Sequence, residues 1–301
     1  MESPVLFLVF NRPETTRQVF GAIREAKPPR LYVAADGPRP DRKGEAERCA
    51  EVRGIVESVD WECRVMNWFR DENLGCKYGP STGIDWFFAH EEEGIILEDD
   101  CLPSMDFFRF CDFALARYRD EPRVMHVGGY VLLERAASAN LFFSRAVPIW
   151  GWATWRRAWG FYDGEMSRMD EFYRLPLRSW FGSEADNFIK AIRAIHEEPT
   201  PTAWDAAWVM SVLLNDGLSV LPASNQVSNI GFGRNATHTK GMSHMANLRF
   251  GTLGESFDGH GVMSPDPVYD EAYLKIEYRP AFILYRVINR LRRMVEKRAL
   301  S

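Results

Sequence analysis

The sequence predicts an α/β fold: a mostly parallel, Rossmann-like central sheet flanked by helices. Three observations predict it. Short apolar runs alternate with stretches of helical spacing over the first hundred residues. Those runs end in polar or acidic residues, at Asn11-Arg12, Asp36-Gly37 and Glu98-Asp99-Asp100. The chain of 301 residues is 46% hydrophobic and 26% charged, which is enough apolar material for a sizeable core.

Taken in order, "PVLFLVF" (4–10) is a continuous run of β-formers, as expected of a strand buried on both faces. "NRPETTRQVFGAIREAKPP" follows, with Val19, Phe20 and Ile23 at helical spacing and Pro28-Pro29 as its stop. "RLYVAADGPRP" then gives a second strand (31–35) closing in the Asp36-Gly37 turn pair. Residues 41–59 read as a helix and 62–69 as a third strand. "ENLGCKYGPSTGIDWFFAH" is a glycine-punctuated loop leading into a helix, and "GIILEDD" is the fourth strand. In such sheets ligands sit at the carboxyl ends of the strands, so the polar strand ends are expected to gather on one edge.

Beyond residue 100 the rhythm changes. Residues 105–119 and 184–197 read as helices and 123–132 as a strand. "PIWGWATWRRAWGF" is dense in tryptophan, and "TAWDAAWVMSVLLNDGLSVLP" is a helix giving way at Gly217 to a short strand. "NQVSNIGFGRNATHTKGM" is long and polar and is expected to be a functional loop or lid. The division expected is a single domain over 1–262, with a first half (1–103) and a second half (104–262). An extension (263–301) follows. Eight Lys/Arg and two Glu from Lys275 onward, with Phe282, Ile283, Val287 and Leu291 on one side, make a basic amphipathic helix. Such a helix lies on an anionic membrane or docks on its own protein, and the sequence leaves both open.

Composition excludes several classes. A net charge of −5 gives no support to nucleic acid as a partner. The five cysteines form no CxxC, which fits reduced thiols in a cytoplasmic protein. The N-terminal apolar run is too short for a membrane span, and lacks the basic flank and cleavage site of a signal peptide. No GxGxxG supports a dinucleotide oxidoreductase.

The informative stretch is "GIILEDDCLPSMDFF" (94–108). An apolar strand runs into Glu98, Asp99 and Asp100, and like charges at contact distance repel. Such a cluster binds a divalent cation, serves as general acid and base, or is a solvated strand end. Its apolar flanks argue against the last. Hard oxygen ligands suit Mg²⁺ or Mn²⁺, which complete their shells with phosphate oxygens and water.

Here the sequence resembles the GT-A glycosyltransferases, in particular the N-acetylglucosaminyltransferase I family and its smaller bacterial relatives. The Glu-Asp-Asp strand end followed by Asp-Phe-Phe is similar to that family's metal motif. "FNRPETTRQ", "VAADG", "CKYGPSTG", "RVMHVGGY", "AWDAAW" and "NIGFGRNATHT" resemble its further motifs in the same order, over about residues 4–245. The resemblance implies that Asp100 binds Mn²⁺ or Mg²⁺ on the donor diphosphate, with His238 as a second metal ligand. It implies that Asp99 meets the ribose or the metal shell and Glu98 the donor sugar. Asp36 would accept the uracil N–H, and Asn11, Arg12, Lys77 and Arg234 would hold the nucleotide and its phosphates. Asp205 would be the catalytic base, with Trp204 packed on the sugar. The family has a second acid directly after that base, whereas here Ala206 and Ala207 precede Trp208.

The function expected is transfer of a sugar from a nucleotide sugar, with UDP as the expected nucleotide, to an acceptor hydroxyl. The resemblance implies inversion, and a role in bacterial polysaccharide or glycoconjugate synthesis. The acceptor would be a glycan, a lipid-linked sugar or another hydroxyl, with peripheral membrane contact through the C-terminal helix. One alternative is a sugar-phosphate nucleotidyltransferase, against which "NRPETT" stands where a glycine-rich loop would follow the first strand. A non-catalytic glycan- or partner-binding protein would have no reason to keep the carboxylates. A metal-dependent hydrolase lacks paired histidine ligands.

Overall fold

The computed structural model of the chain describes residues 1–134, 140–198, 204–232, 246–257 and 263–278. The first half follows the expected alternation. Strand β1 (Val5–Val9) is buried at every position. Helix α1 (Pro13–Ala26) starts on a proline, which suits the first helical position because no N–H is needed there, and ends on Lys27 in the left-handed conformation. Its Val19, Phe20 and Ile23 face the core. Then come β2 (Arg30–Ala35), α2 (Glu45–Val56), β3 (Arg64–Phe69), α3 (Gly75–His90) and β4 (Glu93–Glu98).

A short strand β5 (Cys101–Pro103) leads into α4 (Met105–Arg117). Ser104 caps that helix, its hydroxyl accepting from the Phe107 N–H at 3.1 Å. The remaining elements are β6 (Val124–Gly128), β7 (Leu141–Ser144), β8 (Trp152–Trp155), α5 (Arg156–Trp159), α6 (Met169–Phe172), α7 (Leu177–Phe181), α8 (Ala185–His196), α9 (Asp205–Leu214), β9 (Leu218–Pro222), β10 (Val227–Asn229) and α10 (Pro267–Glu277).

Eight strands form one mixed sheet in the order β3-β2-β1-β4-β8-β6-β9-β7. The half β3-β2-β1-β4 is parallel throughout. Strand β8 enters antiparallel between β4 and β6, and β7 runs antiparallel at the far edge. The tryptophan-rich segment is thus a central strand, and its rings Trp152 and Trp155 are buried because both faces of a central strand are covered. Sequence reading gave that segment no element, since its indoles mask any simple period.

The sheet separates three apolar clusters. One lies under α1, α2 and α4 with Val5, Phe7, Leu97 and Phe107. The opposite face holds Leu6, Leu8, Phe87, Trp152, Trp204 and Trp208. A third gathers Phe172, Phe181 and Phe188 with Tyr269 and Tyr273 of α10.

The polar stretch expected to be a loop starts differently. Val227–Asn229 pair antiparallel with Cys101–Pro103. Asn225 and Gln226 are buried, and both are hydrogen-bonded. The Asn225 Oδ1 accepts from the Val131 N–H at 3.0 Å, and the Gln226 Oε1 accepts from the Ser104 hydroxyl at 2.6 Å. Polarity was misleading because these side chains replace backbone partners in the interior. Arg234, His238 and the basic C-terminal helix lie outside the described residues. Among the described residues no helix is long and apolar enough to cross a membrane.

Candidate functional site

Parallel pairing brings three strand ends together. Leu8 of β1 lies opposite Glu98 of β4, and Val9 lies opposite Ala35 of β2. The residues that follow, Asn11-Arg12, Asp36 and Glu98-Asp99-Asp100, therefore share the carboxyl edge of the sheet, as expected from strand order.

Asp99 is buried and accepts from the Phe10 N–H at 3.2 Å. The Arg12 guanidinium lies 3.4 Å from Asp99 and in closer contact with Asp100. Asp100 is the more open of the two, with 14% of its side chain exposed. Burial pushes the Glu98 carboxyl well up, and the charges of Asp100, Asp99 and Asp205 push it further. Burial also raises Asp99, with Arg12 pulling the other way. Four carboxylates thus lie within reach of one another's charge, and Arg12 pairs with two of them.

Asp205 opens α9, its Oδ1 accepting from the Ala206 N–H at 2.8 Å. Its charge adds to those that raise the Glu98 pKa, although the two are 107 positions apart in sequence. Gly231 is the closest approach from the other side. A Cβ built there would collide with the Asp100 carboxyl, so only glycine lets this segment reach the carboxylate.

Asp36 is buried and serves the start of α3, accepting from the Leu74 N–H at 3.0 Å and the Gly75 N–H at 3.1 Å. Burial raises its pKa against those donors. Lys77, in the first turn of α3, is buried, with its Nζ 2.7 Å from the exposed Glu165. Burial works against its charge, and the Glu165 bond more than offsets that, so its pKa ends above the usual value.

Two expected residues have their side chains engaged within the protein. Trp204 is buried at 5% exposure, its ring stacked 5.7 Å from Trp152 in the aromatic core. A tryptophan beside an acid reads as a ligand platform in sequence, but here the ring completes a core cluster. The Asn11 amide is turned to Glu45, donating to its Oε1 at 2.8 Å.

Three residues at this edge were not singled out from the sequence. Glu45 sits in a charged helical stretch with nothing to distinguish it from solvated neighbours. Arg39 lies in a turn. Cys76 carries an exposed thiol pushed up to about 11, by burial first and then by the Glu98 charge.

Among the described residues no three His, Cys, Asp or Glu side chains form a group able to hold a metal ion by themselves. The chemistry of the edge still fits Mg²⁺ or Mn²⁺. These ions keep several waters and need only one or two carboxylates beside phosphate oxygens, and Asp100 offers one hard oxygen at a half-open position.

No known protein family matches the sequence, and no curated protein matches it. Among solved structures the chain is similar to HddC from Yersinia pseudotuberculosis, with TM-score 0.34 and 8% identity over 52% of this chain and 77% of that one. It is also similar to a UDP-glucose pyrophosphorylase, with TM-score 0.40 and 7% identity over 76% and 93%. The UTP-bound enzyme from Acinetobacter baumannii gives TM-score 0.37 and 10% identity over 76% and 88%. Likeness at this level carries no argument about activity.

Proposed function

We propose that the chain is a metal-dependent glycosyltransferase using a nucleotide sugar, with UDP as its nucleotide. The observation that carries this reading is the gathering of Glu98, Asp99 and Asp100 at the end of β4 against Arg12 from the loop after β1. An apolar strand that ends in buried, mutually repelling carboxylates gains from a cation placed against them.

In this reading Asp100 holds Mn²⁺ or Mg²⁺. When bound, the ion neutralises charge on the departing nucleoside diphosphate. Arg12 and Lys77 supply further positive charge to the phosphates, and Asp36 faces the base from the α3 side. Asp205 takes the proton from the acceptor hydroxyl. One base opposite the leaving group suits direct displacement with inversion. Arg234 and His238 keep their proposed roles on the phosphate and the metal. The acceptor is a glycan, a lipid-linked sugar or another hydroxyl compound.

The test is calorimetric binding of UDP with and without Mn²⁺, on the wild type and on Asp100→Ala. The expected result is binding that strengthens at least tenfold with Mn²⁺ and loses that gain in the variant. Folded wild type that binds no UDP in either condition would sink the reading. The rival, sugar-phosphate nucleotidyl transfer, separates by product: UTP and a sugar 1-phosphate would release pyrophosphate, whereas a UDP-sugar and an acceptor would release UDP.

A further inference from the structure

Glu45 opens α2 with 1% exposure, and five donors converge on it. The Asn11 amide reaches its Oε1 at 2.8 Å. The Arg39 backbone N–H and Nε reach Oε2 at 2.8 and 2.9 Å, and Arg39 Nη2 reaches Oε1 at 2.5 Å. Arg48 adds a longer ion pair at 3.9 Å. The Arg39 donors hold the carboxyl below the usual range although burial alone would raise it. One buried carboxylate thus ties the loop after β1 to the loop after β2, at the edge where the site lies.

The consequence falls on Arg39. A guanidinium grips a phosphate best through a two-nitrogen fork, and here Nε and Nη2 are committed to Glu45. What remains is Nη1 and the flat faces of the group. Its carbon lies 5.6 Å from the centre of the Phe10 ring, and the side chain is 39% exposed. It shares Glu45 with Asn11, whose neighbour Arg12 pairs with Asp99 and Asp100, so Arg39 borders the same edge. A fixed, planar, half-exposed cation suits stacking on a planar ring.

We propose that Arg39 stacks on the nucleobase of the bound nucleotide and that Glu45 is its positioning residue. This rests on the nucleotide reading above and deepens it by assigning the base side of the cleft. Arg39 then contributes to the nucleoside and nothing to the diphosphate.

The experiment compares uridine, UDP and pyrophosphate with Mn²⁺ on wild type, Arg39→Met and Glu45→Gln, read by calorimetry and ligand-observed NMR. Arg39→Met is expected to weaken uridine and UDP by the same factor, about tenfold, and to leave pyrophosphate unchanged. Glu45→Gln is expected to weaken uridine several-fold while the protein remains folded by circular dichroism. Loss of UDP or pyrophosphate affinity with uridine unchanged would overturn the proposal in favour of a phosphate contact. Unchanged affinity for all three ligands would overturn it in favour of a staple between loops. If wild type binds uridine and UDP not at all, the nucleotide reading falls and takes this assignment with it.

Discussion

Two buried carboxylate sites lie at different strands of the sheet, one beside the edge strand β7 and one after the central strand β4. At the outer edge, Asp270 of α10 accepts from the Ser144 hydroxyl, from the Arg145 N–H at 3.0 Å and from the Ala146 N–H at 3.4 Å. At the β4 end, Glu98, Asp99 and Asp100 crowd one another, and Arg12 pairs with Asp99 and Asp100. The first is a single charge met by several donors, and it holds α10 to β7. The second keeps more negative charge together than its described partner offsets. A satisfied carboxylate builds structure, whereas a crowded cluster stores repulsion that a bound cation would relieve.

The largest effect expected from this contrast is on stability at the satisfied site. Asp270→Ala strands the Ser144 hydroxyl and the Arg145 N–H in the interior, while the Ala146 N–H keeps the Ser144 oxygen at 2.9 Å, at a cost of about 3 kcal/mol. Urea unfolding of the variant should show a lower midpoint with an unchanged slope. A shift under about 0.5 kcal/mol would mean that these donors find other partners, and the contrast would lose its structural half.

A pH experiment sharpens the same comparison. Burial pushes Asp270 up to about 6 from 3.8, so between these values the folded state binds more protons than the unfolded one. Its contribution therefore falls as pH rises through that window. His126 acts in the opposite sense. It is fully buried, with Nε2 donating to the Pro148 carbonyl at 3.0 Å and Nδ1 accepting from Trp208 at 3.2 Å. Burial lowers it from 6.5 to about 3, so the folded state binds fewer protons there, and stability falls as pH drops below 6.5. Each group contributes a slope of about 1.4 kcal/mol per pH unit, and the two oppose each other between pH 4 and 6. His126→Gln should remove one side of this balance, so that its stability relative to wild type improves on acidification from pH 6 to 4. Parallel curves for variant and wild type would show that His126 does not titrate with folding.

Much of this was legible in the sequence, and the reasons differ by region. The parallel half reads directly because strands covered on both faces carry unbroken apolar runs, and the first helix begins on Pro13 and stops at Lys27. Strand ends follow from that order, which is why Asp36 and the Glu98–Asp100 set fall on one edge as expected. Strand β8 was not legible, because Trp152 and Trp155 belong to a central antiparallel strand whose partners are set by the whole sheet. The stacking of Trp204 on Trp152 was not legible for the same reason: the contacts of an indole depend on neighbours far away in sequence. Glu45 and Arg39 gave no signal at all, since their pairing is a tertiary contact between two loops.

The smallest effect tests the crowded site without metal or ligand. Glu98→Gln keeps the shape of the side chain and removes an acid that burial first, and then Asp100, Asp99 and Asp205, push up to about 8, so that folding at pH 7 no longer has to protonate it. The variant should therefore be more stable than wild type, by about 1 kcal/mol at pH 7, while sugar transfer falls. Gain and loss arise from the same atom, because the repulsion that weakens the fold is what a cation and a sugar would use. Thermal unfolding of the ligand-free variant reads the first half, and turnover of a UDP-sugar reads the second. Lower stability in the variant would show that the Glu98 charge is already compensated in the folded protein, and the two carboxylate sites would then be alike.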